Sequence, residues 1–252
     1  MGMHNIYFDQ SKLCLGIDLC QLFIGIRIED MASSTVENYL KEILVVTLET
    51  EFSKVSMGQV SKVLGVTPGT ATAMAKSLER DGWVSYYPRV GVSLTSKGKK
   101  LAMSMLRRHR LLETFLVETL GLDWSEIHAE AEELEHAISE KVLEKLDEFL
   151  GRPRFDPHGD PIPSKSGVIK RPASKPLSEF TENMSVRIES IVDQDKKFLK
   201  FARKTKLIPG QIFKILRVEE CADAMTLKTT KGQSINLGLR SAEKVLALPF
   251  ES

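Results

Sequence analysis

The chain has 252 residues, 42% of them hydrophobic and 27% charged, an ordinary globular composition with room for about two or three modest cores. Its 35 Lys and Arg nearly balance its 34 Asp and Glu, so the net charge of +1 by itself argues for no partner. Cys14, Cys20 and Cys221 form no disulfide framework, which excludes a stapled secreted scaffold and makes a reducing cytoplasm the expected location.

The distribution of charge says more than its sum. Residues 31–110 carry twelve Lys and Arg against six Asp and Glu, and residues 111–150 carry two against twelve. Residues 151–252 return to nineteen against twelve. A basic front followed by an acidic helical block points to a nucleic-acid surface beside a cation-binding region.

In chain order, the apolar run Leu13 to Ile26 is interrupted by Asp18 and Gln21 and has no basic cluster or cleavage site. It is too short and broken for a membrane span and a poor signal peptide. Met31 opens what reads as the first domain, so residues 1–30 are read as an N-terminal extension or the product of a misplaced start.

From Ser34 the pattern is helical through Tyr39, Leu40, Ile43, Leu44 and Thr47, and a second short helix fits Ser56 to Leu64 before Gly65. Thr67 as N-cap and Pro68 at the first helical position start a third helix that runs to about Asp81 and stops at Gly82. Trp83 to Tyr87, a turn at Pro88–Gly91 and Val92 to Thr95 read as a β-hairpin. Residues 31–95 therefore predict a winged helix-turn-helix. The third helix offers Thr70, Thr72 and Lys76 to a major groove, and its N-terminus at Thr67, Pro68 and Gly69 offers free N–H groups to phosphate. Arg80 and Arg89, the latter at the hairpin tip, complete the candidate contacts with double-stranded DNA.

Residues 96–150 predict two long helices broken at Gly121–Ser125, with Asp123 or Ser125 capping the second. Ile127, Ala131, Leu134, Ile138 and Val142 make an apolar stripe on that second helix, and a two-fold dimer interface would cover it. Beside the stripe lies the densest chemistry in the chain. His109, Glu113, His128, Glu132, Glu135 and His136 put three of the five histidines and three carboxylates within 28 positions. At about 100° per residue, positions 128, 132, 135 and 136 share one wedge, and His109 and Glu113 share a face of the preceding helix. Imidazoles and carboxylates without a thiolate suit a divalent cation. No Ser/His/Asp arrangement or phosphate-cradling glycine loop accompanies them, so a metallohydrolase is the weaker reading and the chain is expected not to be an enzyme.

Residues 151–176 hold six of the ten prolines and predict an extended, hydrogen-bond-poor linker. His158 in that stretch reads as structural and not as a ligand. Ser185–Val192, Gly210–Val218, Met225–Thr229 and Ser234–Leu237 alternate as short strands, with a helix near Lys196–Lys204 and a turn at Leu207–Gly210, which fits a small β-barrel over residues 177–252.

The stretches VENYLKEI, VTPGTATAMAKSLERDGWV, LTSKGKKLA, RRHRLLETFL, EIHAEAEELEHAIS and FDPHGDPIP resemble the diphtheria toxin repressor and manganese transport regulator family of metal-dependent repressors. The resemblance covers nearly all of residues 31–252. It implies a mainly α protein with a winged helix, a helical dimerisation and metal-binding region and a C-terminal SH3-like barrel. It also implies two neighbouring sites: Asn38, Glu132, Glu135 and His136 in one, and His109, Glu113 and His128 in the other. Asp195 lies near the position from which the barrel of relatives lends a ligand. Manganese-type members carry Glu at the Glu132 position and a second carboxylate where this chain has Lys41, while His128 with Glu113 resembles the ancillary site of iron-type members. The expectation is a homodimeric repressor activated by Mn(II), with Fe(II) as the alternative, that binds palindromic operators of metal-uptake genes. A metal-independent winged-helix regulator sensing a small organic ligand is the alternative.

Overall fold

The computed structural model describes residues 32–250 apart from 51, 193 and 194. The expectation for residues 1–30 lies outside the described residues. Helices α1 (Ser34–Thr50), α2 (Met57–Val63) and α3 (Pro68–Arg80) precede a hairpin of β1 (Val84–Tyr87) and β2 (Gly91–Leu94). Each start has a local cause. Ser56 and Gln59 form a reciprocal capping box on α2, and Thr67 Oγ1 accepts the Thr70 N–H at 3.1 Å ahead of Pro68 on α3. α3 buries only Ala71, Ala75 and Leu78, packs on α2 and β1, and leaves its polar side outward.

Hairpin pairing runs from Val84 opposite Leu94 to Tyr87 opposite Gly91, and Val55 bridges to Val92 from outside. That third backbone explains Gly91: its φ is +145°, and a Cβ there would lie 2.1 Å from the Val55 carbonyl oxygen. Arg89 at the tip is left-handed, with φ 64°.

α4 (Ser96–Glu118) is the one long helix of the next region; its N-cap is Thr95, and its inner face closes the winged-helix core with Ala102, Met103 and Leu106. The second long helix predicted for this region is two short ones, α5 (Ile127–Glu135) and α6 (Glu140–Phe149). Ser139 is the reason, since its hydroxyl accepts the Val142 N–H and starts a new helix where the old one would continue. Neither Asp123 nor Ser125 caps α5: Asp123 Oδ1 instead accepts from Ser125 N and Oγ in a local turn. The apolar stripe is accordingly split. Ile127 and Ala131 are buried against Leu112 and Leu116, whereas Leu134 and Val142 stay 43% and 55% exposed.

The proline-rich stretch is also not what its composition predicts. Asp156 Oδ1 accepts the N–H groups of His158 and Asp160, Phe155 bridges to Pro161, and residues 158, 159 and 161–163 are buried. An aspartate turn closed by left-handed Gly159 makes a packed plug, fixed by Arg107 and Arg110, which donate to the Pro163 and Pro161 carbonyls. A Cβ on Gly159 would sit 1.9 Å from the Glu189 carbonyl, so the plug and the C-terminal sheet touch through bare backbone.

The C-terminal unit has six strands, all antiparallel neighbours in the order β3-β8-β4-β5-β6-β7. These are β3 (Lys175–Pro176), β4 (Ser185–Ile191), β5 (Ile212–Glu219), β6 (Ala224–Thr229), β7 (Ser234–Gly238) and β8 (Val245–Pro249), with α7 (Lys196–Thr205) after β4 and a one-turn α8 (Leu239–Ala242) before β8. Phe180, Val186, Ile188, Phe213, Leu227 and Ala247 fill its core, and Trp124 from the α4–α5 loop enters the same cluster and donates from Nε1 to the Leu199 carbonyl at 3.2 Å. No helix among the described residues is long and apolar enough to cross a membrane.

Candidate metal centre and nucleic-acid interface

α4 carries His109 and Glu113 one turn apart on its buried face. α5 turns His128 toward them, giving contacts of 3.0 Å from His109 Nε2 to His128 Nδ1 and 3.1 Å from His109 Nε2 to Glu113 Oε1. His128 Nδ1 lies 3.3 Å from the same Glu113 oxygen. These three side chains form a group able to hold a metal ion among the described residues.

A second end of the nest lies where side chains of α1 reach the C-terminal end of α5. His136 Nδ1 is 2.6 Å from Glu37 Oε2, and His109 Nδ1 is 2.7 Å from Glu135 Oε2. In each pair a carboxylate receives the Nδ1–H of an imidazole, the arrangement that orients metal-binding histidines; Nε2 of His109 then faces Glu113 and His128. His136 Nε2 is buried without a hydrogen-bond partner, and so is Asn38 Oδ1. Buried acceptors are rarely left unpaired. Both are ligand-capable atoms held away from water, and with the His109–Glu113–His128 group the donor chemistry present fits the divalent cation that the sequence implies.

Lys41 changes the electrostatics expected from sequence. Its side chain is 2% exposed, and Nζ donates to Glu135 Oε1 at 2.8 Å and lies 3.5 Å from both Glu132 Oε1 and His109 Nδ1. The carboxylates thus have a cation among them already and are not left to repel one another. Burial would lower His109, but the Glu113 and Glu135 carboxylates more than offset it and raise its pKa to about 9. Burial likewise works against ionised Glu113 and Glu135; His109 overrides it for both, helped by His128 on Glu113 and Lys41 on Glu135, so both are lowered. Nearby Glu42 moves the other way, raised by its burial.

Two predicted residues sit differently. Asp195 Oδ1 accepts the Phe198 N–H and is the N-cap of α7, which gives its carboxylate a structural task outside the His109–Glu113–His128 group. His158 is fully buried, stacks on Trp124 with ring centroids 5.1 Å apart, and reaches the Trp124 carbonyl at 3.0 Å through Nε2. Its other nitrogen lies 3.9 Å from Glu113 Oε2, so a structural histidine backs a candidate ligand.

The sequence reading missed Glu37 and the placement of Lys41. Glu37 and Lys41 stand four apart on α1 and look like a solvated surface pair; the packing of α1 on α4, with Glu135 and His136 of the α5 end beside it, buries Lys41 and half-buries Glu37.

On the winged helix, Thr67, Pro68, Gly69, Thr70, Lys76, Arg80 and Arg89 are exposed and Thr72 is half-buried. Thr72 Oγ1 donates to the Pro68 carbonyl and Arg80 to Ser77 Oγ, which holds both on the outer face of α3. The arrangement offers polar side chains and a free helix N-terminus on one convex surface.

Comparison with known proteins gives three consecutive family matches. These are the iron dependent repressor N-terminal DNA binding domain over residues 31–92, the iron dependent repressor metal binding and dimerisation domain over 95–164, and the FeoA domain over 175–248. The iron-dependent repressor IdeR of Mycobacterium tuberculosis is 30% identical over 221 residues, 86% of this chain and 93% of that protein. An uncharacterised helix-turn-helix regulator of Methanocaldococcus jannaschii is 39% identical over 118 residues, 47% of this chain and 94% of its own length. Among solved structures, a manganese-dependent transcriptional repressor in complex with manganese superposes with TM-score 0.78 at 33% identity, covering 85% of this chain and all of that one. The IdeR of T. acidophilum gives 0.70 at 26% identity over 87% of this chain.

Proposed function

We propose, from the premise that the chain belongs to the iron-dependent repressor family, that it is a homodimeric repressor switched on by a divalent cation, Mn(II) ahead of Fe(II). The observation that carries this is the His109–Glu113–His128 group between α4 and α5, to whose far end α1 is tied through Lys41 and Glu37, with Asn38 Oδ1 and His136 Nε2 buried without partners. α1 is the first helix of the winged domain, so bonds at the nest reach the unit that displays α3.

Asn38, Glu132, Glu135 and His136 would hold the switching ion, and His109, Glu113 and His128 a second one. A bound cation supplies charge and directional bonds that a hydrogen-bonded nest lacks. Glu37 and Glu135 fix the ring orientation of His136 and His109. The oxygen and nitrogen donor set contains no sulfur, which supports Mn(II) or Fe(II) over softer ions. The partly exposed Leu134 and Val142 beside α6 would be covered in the dimer. Two copies of α3 about one helical turn of DNA apart would then read a palindromic operator, with metal-uptake genes as the targets.

Fluorescence anisotropy on the duplex upstream of the chain's own gene tests this. Mn(II) is expected to raise affinity at least 100-fold over a chelator control, with Fe(II) acting more weakly. Unchanged affinity under chelation would favour a regulator that senses a small organic ligand, for which the cavity of about 780 Å³ lined by Leu143, Phe155, Ile162 and Val168 is the place. On the same duplex, Arg89→Asn keeps the left-handed tip and removes its charge. It is expected to weaken binding to all sequences alike and to lower the slope of log affinity against log salt by about one.

A further inference from the structure

The nest contains a cation that belongs to the chain itself. Among the described residues Lys41 is one of the largest fully buried side chains, carried on α1 next to buried Leu40. Its ammonium sits on Glu135 at 2.8 Å, faces Glu132 at 3.5 Å and reaches His109 at 3.5 Å, so it touches α5 and α4 from α1. Glu135 is 0% exposed, and its other oxygen, Oε2, is already engaged by His109 Nδ1 at 2.7 Å. Its Oε1 is the atom bonded to Lys41, and that atom also lies 3.7 Å from the unpartnered His136 Nε2. One oxygen therefore stands between a tethered cation and the nitrogen best placed to bind a free one.

Resting on the proposed function above, we propose that Lys41 is a resident competitor for the switching ion and sets the concentration at which that ion loads. An ammonium and a divalent ion cannot share the Glu132–Glu135 pair at contact distance without strong repulsion in a site of low dielectric. Loading at that end therefore requires Nζ to leave Glu135, and the half-exposed Glu132 at 3.5 Å marks the side toward which it can move. Until it leaves, Lys41 and the Glu37–His136 pair tie α1 to α5. The switch is an exchange of cations between α1 and the end of α5. Lys41 acts through Glu132 and Glu135, so it is a positioning residue, and its removal shows in ion affinity itself.

The test is equilibrium dialysis of the full chain against Mn(II) alone, reading the binding event that Glu132→Ala abolishes. Lys41→Met keeps the stem, and Lys41→Gln keeps a donor for Glu135; both are expected to tighten that event at least tenfold. Equal or weaker binding in either folded variant overturns the competition. Absence of any Mn(II) binding by the unsubstituted chain would instead remove the metal-switch reading on which it stands. A measurement on the unsubstituted chain does not depend on variant folding. With ¹⁵N-labelled lysine, the protected Lys41 ammonium signal, identified by its loss in Lys41→Arg, is expected to move and lose protection on loading with diamagnetic Zn(II). An unmoved signal at saturation also overturns the proposal.

Discussion

Glu135→Ala is expected to be the most damaging single substitution in the nest, lowering the stability of the metal-free protein by about 3–5 kcal/mol. Its carboxylate is fully buried and is the shortest contact of Lys41 and of His109 Nδ1, at 2.8 and 2.7 Å. Removing it leaves an ammonium with only the half-exposed Glu132 nearby at 3.5 Å, the situation in which breaking a buried pair costs most. For a chain of this size the melting temperature is expected to fall by roughly 10 °C. Glu132→Ala is the control. Its side chain is 41% exposed, so its ion pair contributes about 1 kcal/mol or less. The two variants are expected to lose Mn(II)-dependent operator binding alike while differing widely in metal-free melting temperature. Equal melting temperatures would show that Glu135 does not hold the buried charges.

The second large effect is on pH. With Glu113 and Glu135 beside it, His109 is raised to about 9 and keeps both ring protons at neutral pH. An ion bound at Nε2 must displace one of them. Apparent Mn(II) affinity is therefore expected to fall about tenfold for each unit of pH lowered between about 8 and 6, with about one proton released per ion. Metal-free stability has the opposite sign at the alkaline end. A raised histidine contributes fully below its unfolded pKa of about 6.5, and that contribution is lost as pH rises through about 9. Glu113 and Glu135 are lowered, so their contribution is present above the ordinary carboxylate range and lost as pH falls through their folded values. Calorimetry in buffers of different ionisation enthalpy counts the proton, and His109→Gln is expected to flatten the dependence.

Much of this was legible in the chain, because punctuation and periodicity agree there. Ser56, Thr67 with Pro68, Gly82 and the hairpin around Pro88–Gly91 each mark a boundary the structure keeps. The pairing of His109 with Glu113 was legible because a spacing of four on one helix survives folding, whereas His128 joins them from α5 as only the family resemblance implied. Where the reading failed, a local hydrogen bond or helix packing decided the outcome. Ser139 breaks the acidic helix without glycine or proline, and Asp156 folds a proline-rich stretch into a plug. β8, the apolar Val245–Pro249, escaped because it does not alternate like the other strands. Glu37 was invisible as a site residue, and Lys41 was marked only as a replaced carboxylate position, because α1 alone gives no sign that its polar face is covered.

The claim that ties these observations together is that ion and operator bind to one switch. Linkage requires that whatever factor Mn(II) adds to DNA affinity, DNA adds to Mn(II) affinity. Shifting a population from about 1:99 to 99:1 takes a factor on the order of ten thousand, and a partial switch takes proportionately less. The direct measurement is Mn(II) affinity of the chain with and without saturating operator duplex, beside operator affinity with and without Mn(II). The account predicts equal factors of about 100 or more in the unsubstituted chain and no coupling in Glu132→Ala. Mn(II) binding that is tight but identical with and without operator would contradict it.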